Sequence, residues 1–217
     1  MNTTLKTSKQ VQRLIETIGM TSLTPHPDAE RNWDAWLAYS AILHYVPLPA
    51  SVLIMGNVNA GPLAAWLARA GYPDLHGCDH VIPPVPLRFP IKLVVGDATA
   101  LPYASGLFDV VSCLGVLKNG CNLHAIFGEI RRVLKPGGVA AVSFDYWYVA
   151  EENQPQHVFT TIGAREVCAV AQQYGLHLTS DLDTQCQEPV FGGHEGVSGF
   201  TQVCLALRQD DVACMAV

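Results

Sequence analysis

The sequence predicts an α/β fold, a mostly parallel sheet wrapped by helices, and three observations carry that prediction. Short apolar runs alternate with stretches of helical spacing from residue 51 onward. Two of those runs, Lys92–Val95 and Phe108–Leu114, are apolar nearly throughout, as strands covered on both faces are. Glycine and proline punctuate the junctions, most densely at Pro136-Gly137-Gly138.

Taken in order, apolar residues at Leu5, Val11, Leu14, Ile15 and Ile18 predict a first helix over 5–19. Residues 28–46 predict a second, with Asp28 placed to cap it after Pro27. Ser51–Met55 reads as a strand, Pro62–Ala70 as a helix and Leu75–Asp79 as a strand. Beyond Phe108–Leu114, a helix over Cys121–Leu134 is expected to stop at the Pro-Gly-Gly, with a strand over Val139–Phe144. A helix over Ile162–Tyr174 closes at Gly175, and strands over Leu176–Thr179 and Phe200–Leu207 are expected to add an antiparallel edge. The domain reading is an N-terminal helical cap, 1–48, on an α/β domain, 49–217, as one structural unit.

Composition narrows the function. With 49% hydrophobic and 15% charged residues the chain is globular, and its net charge of −6 argues against nucleic acid as a partner. No apolar run approaches the roughly 20 residues of a membrane span, and the N-terminus lacks a signal-peptide core, so a cytoplasmic protein with no membrane partner is expected. Seven cysteines, an odd number without a paired framework, suit reduced thiols. His76, Cys78 and His80 alternate on one strand face, but a fourth ligand at metal spacing is missing, so no metal is expected.

The segment "IKLVVGDATALPYASGLFDVVSCLGVLKNGCNLHAIFGEIRRVLKPGGVAAVSF", residues 91–144, resembles the class I S-adenosylmethionine-dependent methyltransferases of the small-molecule type. The likeness rests on the order of Gly96-Asp97-Ala98, Leu101-Pro102, Phe108-Asp109-Val110-Val111 and the run from Glu129 to Gly138. It implies a Rossmann-like sheet and S-adenosylmethionine as cofactor. It also implies duties: the loop Gly56 to Gly61, with Asn57, around the methionine part, and Asp79 on the ribose hydroxyls. Asp97 would read the adenine amino group with the Ala98 backbone beside the ring, and Leu114 would sit at the ligand-binding edge. Asp109 reads as structural.

The first loop departs from the family pattern. Ile54 stands where the family has an acid and Val58 where it has its second glycine, and the loop is one residue longer. Asn57 and Asn59 tolerate left-handed backbone better than valine, which suits a rebuilt loop. After Asp79, Pro83, Pro84 and Pro86 forbid the expected helix. A histidine pair that many relatives carry past the fourth strand is replaced by Lys118-Asn119, so no catalytic base is assigned. His124, His157 and His194 are bases by chemistry alone.

The expected activity is methyl transfer to a small molecule. The alternative is a repurposed fold with an altered or lost cofactor site, as a cyclase, an isomerase or a non-catalytic partner. A nicotinamide dehydrogenase fits worse, because the loop lacks G-x-G-x-x-G. Trp33, Trp36, Tyr146 and Trp147 are expected to wall a substrate pocket over the strand ends, which would favour an apolar or aromatic acceptor.

Overall fold

The computed structural model describes residues 2–56, 58, 61–82, 89–118, 120–147, 158–185, 190–191 and 200–210. Along the chain they form β1 (Asn2–Thr4), α1 (Ser8–Gly19), α2 (Glu30–Tyr45), β2 (Ser51–Met55), α3 (Leu63–Arg69), β3 (Asp74–Asp79) and β4 (Lys92–Val95). There follow β5 (Phe108–Leu117), α4 (Leu123–Val133), β6 (Leu134–Tyr146), α5 (Thr161–Gln173), β7 (Leu176–Leu178), β8 (Leu182–Asp183) and β9 (Thr201–Gln209).

One sheet runs in the order β4-β3-β2-β5-β6-β9-β1-β8, with β7 also paired to β9. The strands from β4 to β6 are mutually parallel, and β9 is antiparallel to β6. This is the expected α/β architecture. Alternation along the strands splits the core in two. Val52, Ile54 and Val110 face the layer of α1, α2 and α3, whereas Leu53, Met55 and Val111 face α4 and α5.

Four local expectations change. Asn2–Thr4 form a strand, β1, because Thr3 and Thr4 pair with Cys204 and Val203. That pairing moves β9 into the interior of the sheet, where an edge was expected. The strand β6 begins at Leu134, with a register irregularity between Phe108 and Val110 absorbing the Pro-Gly-Gly. The boundary of α2 shifts by one residue, with Ala29 as N-cap, while Asp28 still serves its first turn: its Oδ1 accepts from the Glu30 amide at 3.1 Å. The buried Asn32 also fastens the entry: its Nδ2 donates to the carbonyls of His26 and Asp28, and its Oδ1 accepts from the His26 amide.

Much of the motif that carried the resemblance is scaffold. Asp109 accepts from the Ser51 amide and pairs with Lys135 at 2.8 Å each, tying β2, β5 and β6 together. Glu129 accepts from the Leu101 amide, and Arg132 donates to the Tyr103 and Leu101 carbonyls, pinning the loop after β4 to α4. A Cβ at Gly138 would stand 2.8 Å from the Lys135 carbonyl.

Helix α2 lies across β5, β6 and β9 and against α3, while its first turns reach the carboxyl edge of the strands. That edge is where the order reverses: β2 has β3 on one side and β5 on the other, so the connections leave in opposite directions and a crevice opens.

Candidate functional site

Two cavities meet at Gly56, the first residue after β2. Gly56 has φ +68°, and a Cβ there would lie 2.5 Å from Val116 Cγ2, so both conformation and space demand glycine. Its amide donates to the Cys78 carbonyl at 2.9 Å, which joins the loop to the end of β3.

The larger cavity lies over β3, β4 and β5. Its lining includes Asp79, His80, Gly96, Ala98 and Leu101, with Lys118 at the β5 side. Asp79 ends β3; its Oδ1 accepts from the His80 amide, and its carbonyl accepts from the Gly96 amide. A carboxylate held in this way beside a cleft presents acceptor oxygen to paired hydroxyls. Asp97 is exposed and is not among the lining residues. Its Oδ1 accepts from both the amide and the hydroxyl of Thr99, bonds that hold its pKa below the usual carboxylate value.

The smaller cavity is lined by Gly56, Gly61 and Leu114, and by Ile54 and Val58. Val58 is buried, with its methyl groups where a side chain on Gly77 would otherwise go: a Cβ there would sit 2.5 Å from Val58 Cγ1. Val58 is therefore packed down onto β3. Asn57, Asn59, Pro83, Pro84, Pro86, His157 and His194 lie outside the described residues.

The remaining wall comes from α2, through Arg31, Asp34 and Ala35. Asp34 is 7% exposed. Its Oδ2 accepts from the Ser143 hydroxyl at 2.8 Å, its Oδ1 accepts from the Ala35 amide at 2.7 Å, and Ser143 Oγ accepts from the Gly115 amide at 3.0 Å. Burial pushes the Asp34 carboxyl up to about 6, against the lowering effect of the Ser143 and Ala35 bonds. Asp145 at the end of β6 is also raised to about 6 by burial, and Glu30 is raised by burial and by Asp28 and Asp145.

The four aromatic residues do not come together around either cavity. Tyr146 is fully buried among the residues facing α4 and α5, where its hydroxyl donates to the Thr184 carbonyl. Trp33 is in the core on the opposite face of the sheet. Trp36 packs with Tyr39 and Trp66, at centroid distances of 6.0 and 6.3 Å, and Trp147 is buried with its amide on the Phe159 carbonyl. Helix α2 does line a cavity, but through its polar first turns. His124 packs against Tyr174, and His76 is bonded to Asp74 and stacked edge-on with Phe108.

Sequence reasoning passed over Asp34, Arg31 and Lys118. Asp34 did leave a signal, a lone acid inside "NWDAWLAY" on a helix whose buried side it shares with Trp33 and Leu37. An acid on such a face needs a partner or a ligand.

Comparisons with known proteins bear on the family and the fold. A methyltransferase domain family matches residues 58–142. The ubiquinone/menaquinone biosynthesis C-methyltransferase UbiE of Cereibacter sphaeroides is 49% identical over 45 residues, 21% of this chain and 18% of the relative. The sterol 24-C-methyltransferase ERG6B of Gibberella zeae is 38% identical over 52 residues, 24% of this chain and 14% of the relative. These matches thus span less than a fifth of either relative. Among solved structures, the [4+2]-cyclase SpnF is similar with a TM-score of 0.64 and 16% identity, over 95% of this chain and 97% of that one. The 1,6-didemethyltoxoflavin-N1-methyltransferase of Burkholderia thailandensis, solved with S-adenosylhomocysteine, is similar with a TM-score of 0.60 and 16% identity, over 95% and 92%.

Proposed function

We propose that this chain, which carries a methyltransferase domain on the class I fold, binds S-adenosylmethionine and transfers its methyl group to a small molecule. The observation that carries the proposal is the meeting of two chemically different cavities at Gly56. The donor set fits the cofactor. Asp79 offers acceptors for a ribose diol, Ala98 and Leu101 offer apolar contact for adenine, and Arg31 and Asp34 bring opposite charges to the other end.

When bound, the cofactor supplies a methyl group activated by a sulfonium. The work left to the chain is alignment and exclusion of water, which is where much of the rate of an in-line displacement arises. Gly56 lets backbone come close at the junction, and Asp79 fixes the adenosine end. Asp97, to which the sequence resemblance gives the adenine amino nitrogen, is exposed and outside the lining, so the adenine contact is proposed through Ala98 and Leu101. No base is assigned. A preference for an apolar or aromatic acceptor rested on four aromatic side chains that sit in the core, so the acceptor is proposed only as a small molecule.

Titration calorimetry with S-adenosylmethionine and S-adenosylhomocysteine tests the reading. Saturable one-to-one binding of both is expected, and absence of heat from either sinks it. A second reading, a repurposed fold, is favoured by Ile54 and by the buried Val58, which reshape the loop. It predicts homocysteine-form binding with no turnover of labelled methyl groups into any acceptor.

A further inference from the structure

The smaller cavity is apolar on most sides and carries one full charge of each sign. Ile54, at the end of β2, adds none. The negative charge comes from Asp34 and the positive from Arg31, three residues earlier and so on the same face of α2. Asp34 cannot swing freely, since Ser143 holds one carboxylate oxygen and the Ala35 amide the other. Arg31 is itself anchored, its Nε donating to Asp28 at 3.1 Å. A fixed anion and a fixed cation in a narrow cleft are complementary to a zwitterion, an α-ammonium beside an α-carboxylate.

We infer that the amino-acid end of the cofactor is held from helix α2, with Asp34 accepting from its ammonium group and Arg31 facing its carboxylate. The inference rests on the cofactor reading above and deepens it. Among the described residues, the charged and titratable groups around Asp34 are Arg31 and Glu30 on α2, Asp145 on β6, itself faced by Lys118, and Cys204 on β9. Three carboxyl groups thus stand against two cations, a net negative surrounding for an incoming ammonium. Burial is the main cause of the elevated proton affinity of Asp34, and an ammonium partner would oppose it.

The test compares two ligands by calorimetry: S-adenosylhomocysteine, which has the amino-acid group, and 5′-methylthioadenosine, which lacks it. Asp34→Asn should weaken the first by about tenfold to a hundredfold, the effect of removing a charged hydrogen-bonding partner. It should leave the second within about twofold, because no contact to the adenosine end has changed. A variant that keeps the homocysteine affinity, or loses both ligands in parallel, overturns the inference. Thermal melting monitors its folding. Should it fail to fold, Arg31→Gln at the outer side of the cleft carries the same comparison, with the same outcomes. A wild-type chain that binds neither ligand overturns the cofactor reading and this inference together. One that binds both, beside a variant whose discrimination is unchanged, overturns the inference alone.

Discussion

The two ends of the cleft are built on different principles. At the end proposed for adenosine the polar group, Asp79, sits at a strand terminus and is fixed by neighbours within a few residues or on the adjacent strand. At the end proposed for the amino-acid group the strand terminus is apolar, and the charge arrives on a helix more than a hundred residues from its bonding partner Ser143. The first arrangement depends on local chain geometry. The second depends on α2 seating correctly on β5, β6 and β9. The adenosine end should therefore tolerate strain in the helical layer that the other end does not.

The strongest way to break this contrast is at the junction. Gly56→Ala places a Cβ against Val116 at a positive φ, and should cost about 2–4 kcal/mol of stability with loss of both ends. Urea unfolding measures it; a cost near zero would mean that the loop relaxes freely and the ends are not rigidly joined.

Asp79→Ala should weaken S-adenosylhomocysteine and 5′-methylthioadenosine alike, by about a hundredfold, since each carries the same ribose. Unequal losses would show that Asp79 also serves the amino-acid end. Set beside Asp34→Asn, the pair of variants divides the cleft into its two halves.

The stability cost of the buried acid is the third measure. The Asp34 carboxyl is raised to about 6, above its unfolded value, so the folded chain binds that proton more tightly. The stabilisation is present in full below the unfolded value and is lost as the pH rises through about 6. Asp34→Asn should thus stabilise the chain at pH 7.5 by about 1–3 kcal/mol, and by much less at pH 4, as followed by thermal melts. An equal gain at both values would place its cause in packing instead of ionisation.

The smallest effect is expected at Asp97. Asparagine keeps the Thr99 bonds, and the side chain stands outside the lining of the cavity, so Asp97→Asn should change cofactor affinity by about threefold or less. A tenfold loss would move the adenine amino group onto this carboxylate.

Asp79, Gly56, Gly61, Ala98 and Leu114 were legible because each stands at a fixed place relative to a strand end, and apolar runs announce strand ends. The structural role of Asp109 was readable for the same reason, whereas the bonds of Glu129, inside α4, were not. The aromatic wall was misplaced because position along a strand does not say which sheet face a side chain joins when both faces are buried. Tyr146 and Trp33 went to opposite cores. The strand β1 was missed because three residues with two threonines carry no period, and only their partner in β9 makes them a strand.

Alternation of short apolar runs and helices sufficed to determine the parallel sheet, its switch point and the acid at the end of β3, since these follow from local period and from the right-handed crossovers that such a chain must make. Tertiary structure alone decided that Val58 fills the space above Gly77, that β9 lies inside the sheet, and that an aspartate on the second helix stands in the cleft opposite Ile54. Those contacts join residues far apart in the chain, and whether a helix turns an acid toward a cavity or toward water is set by how its other face packs.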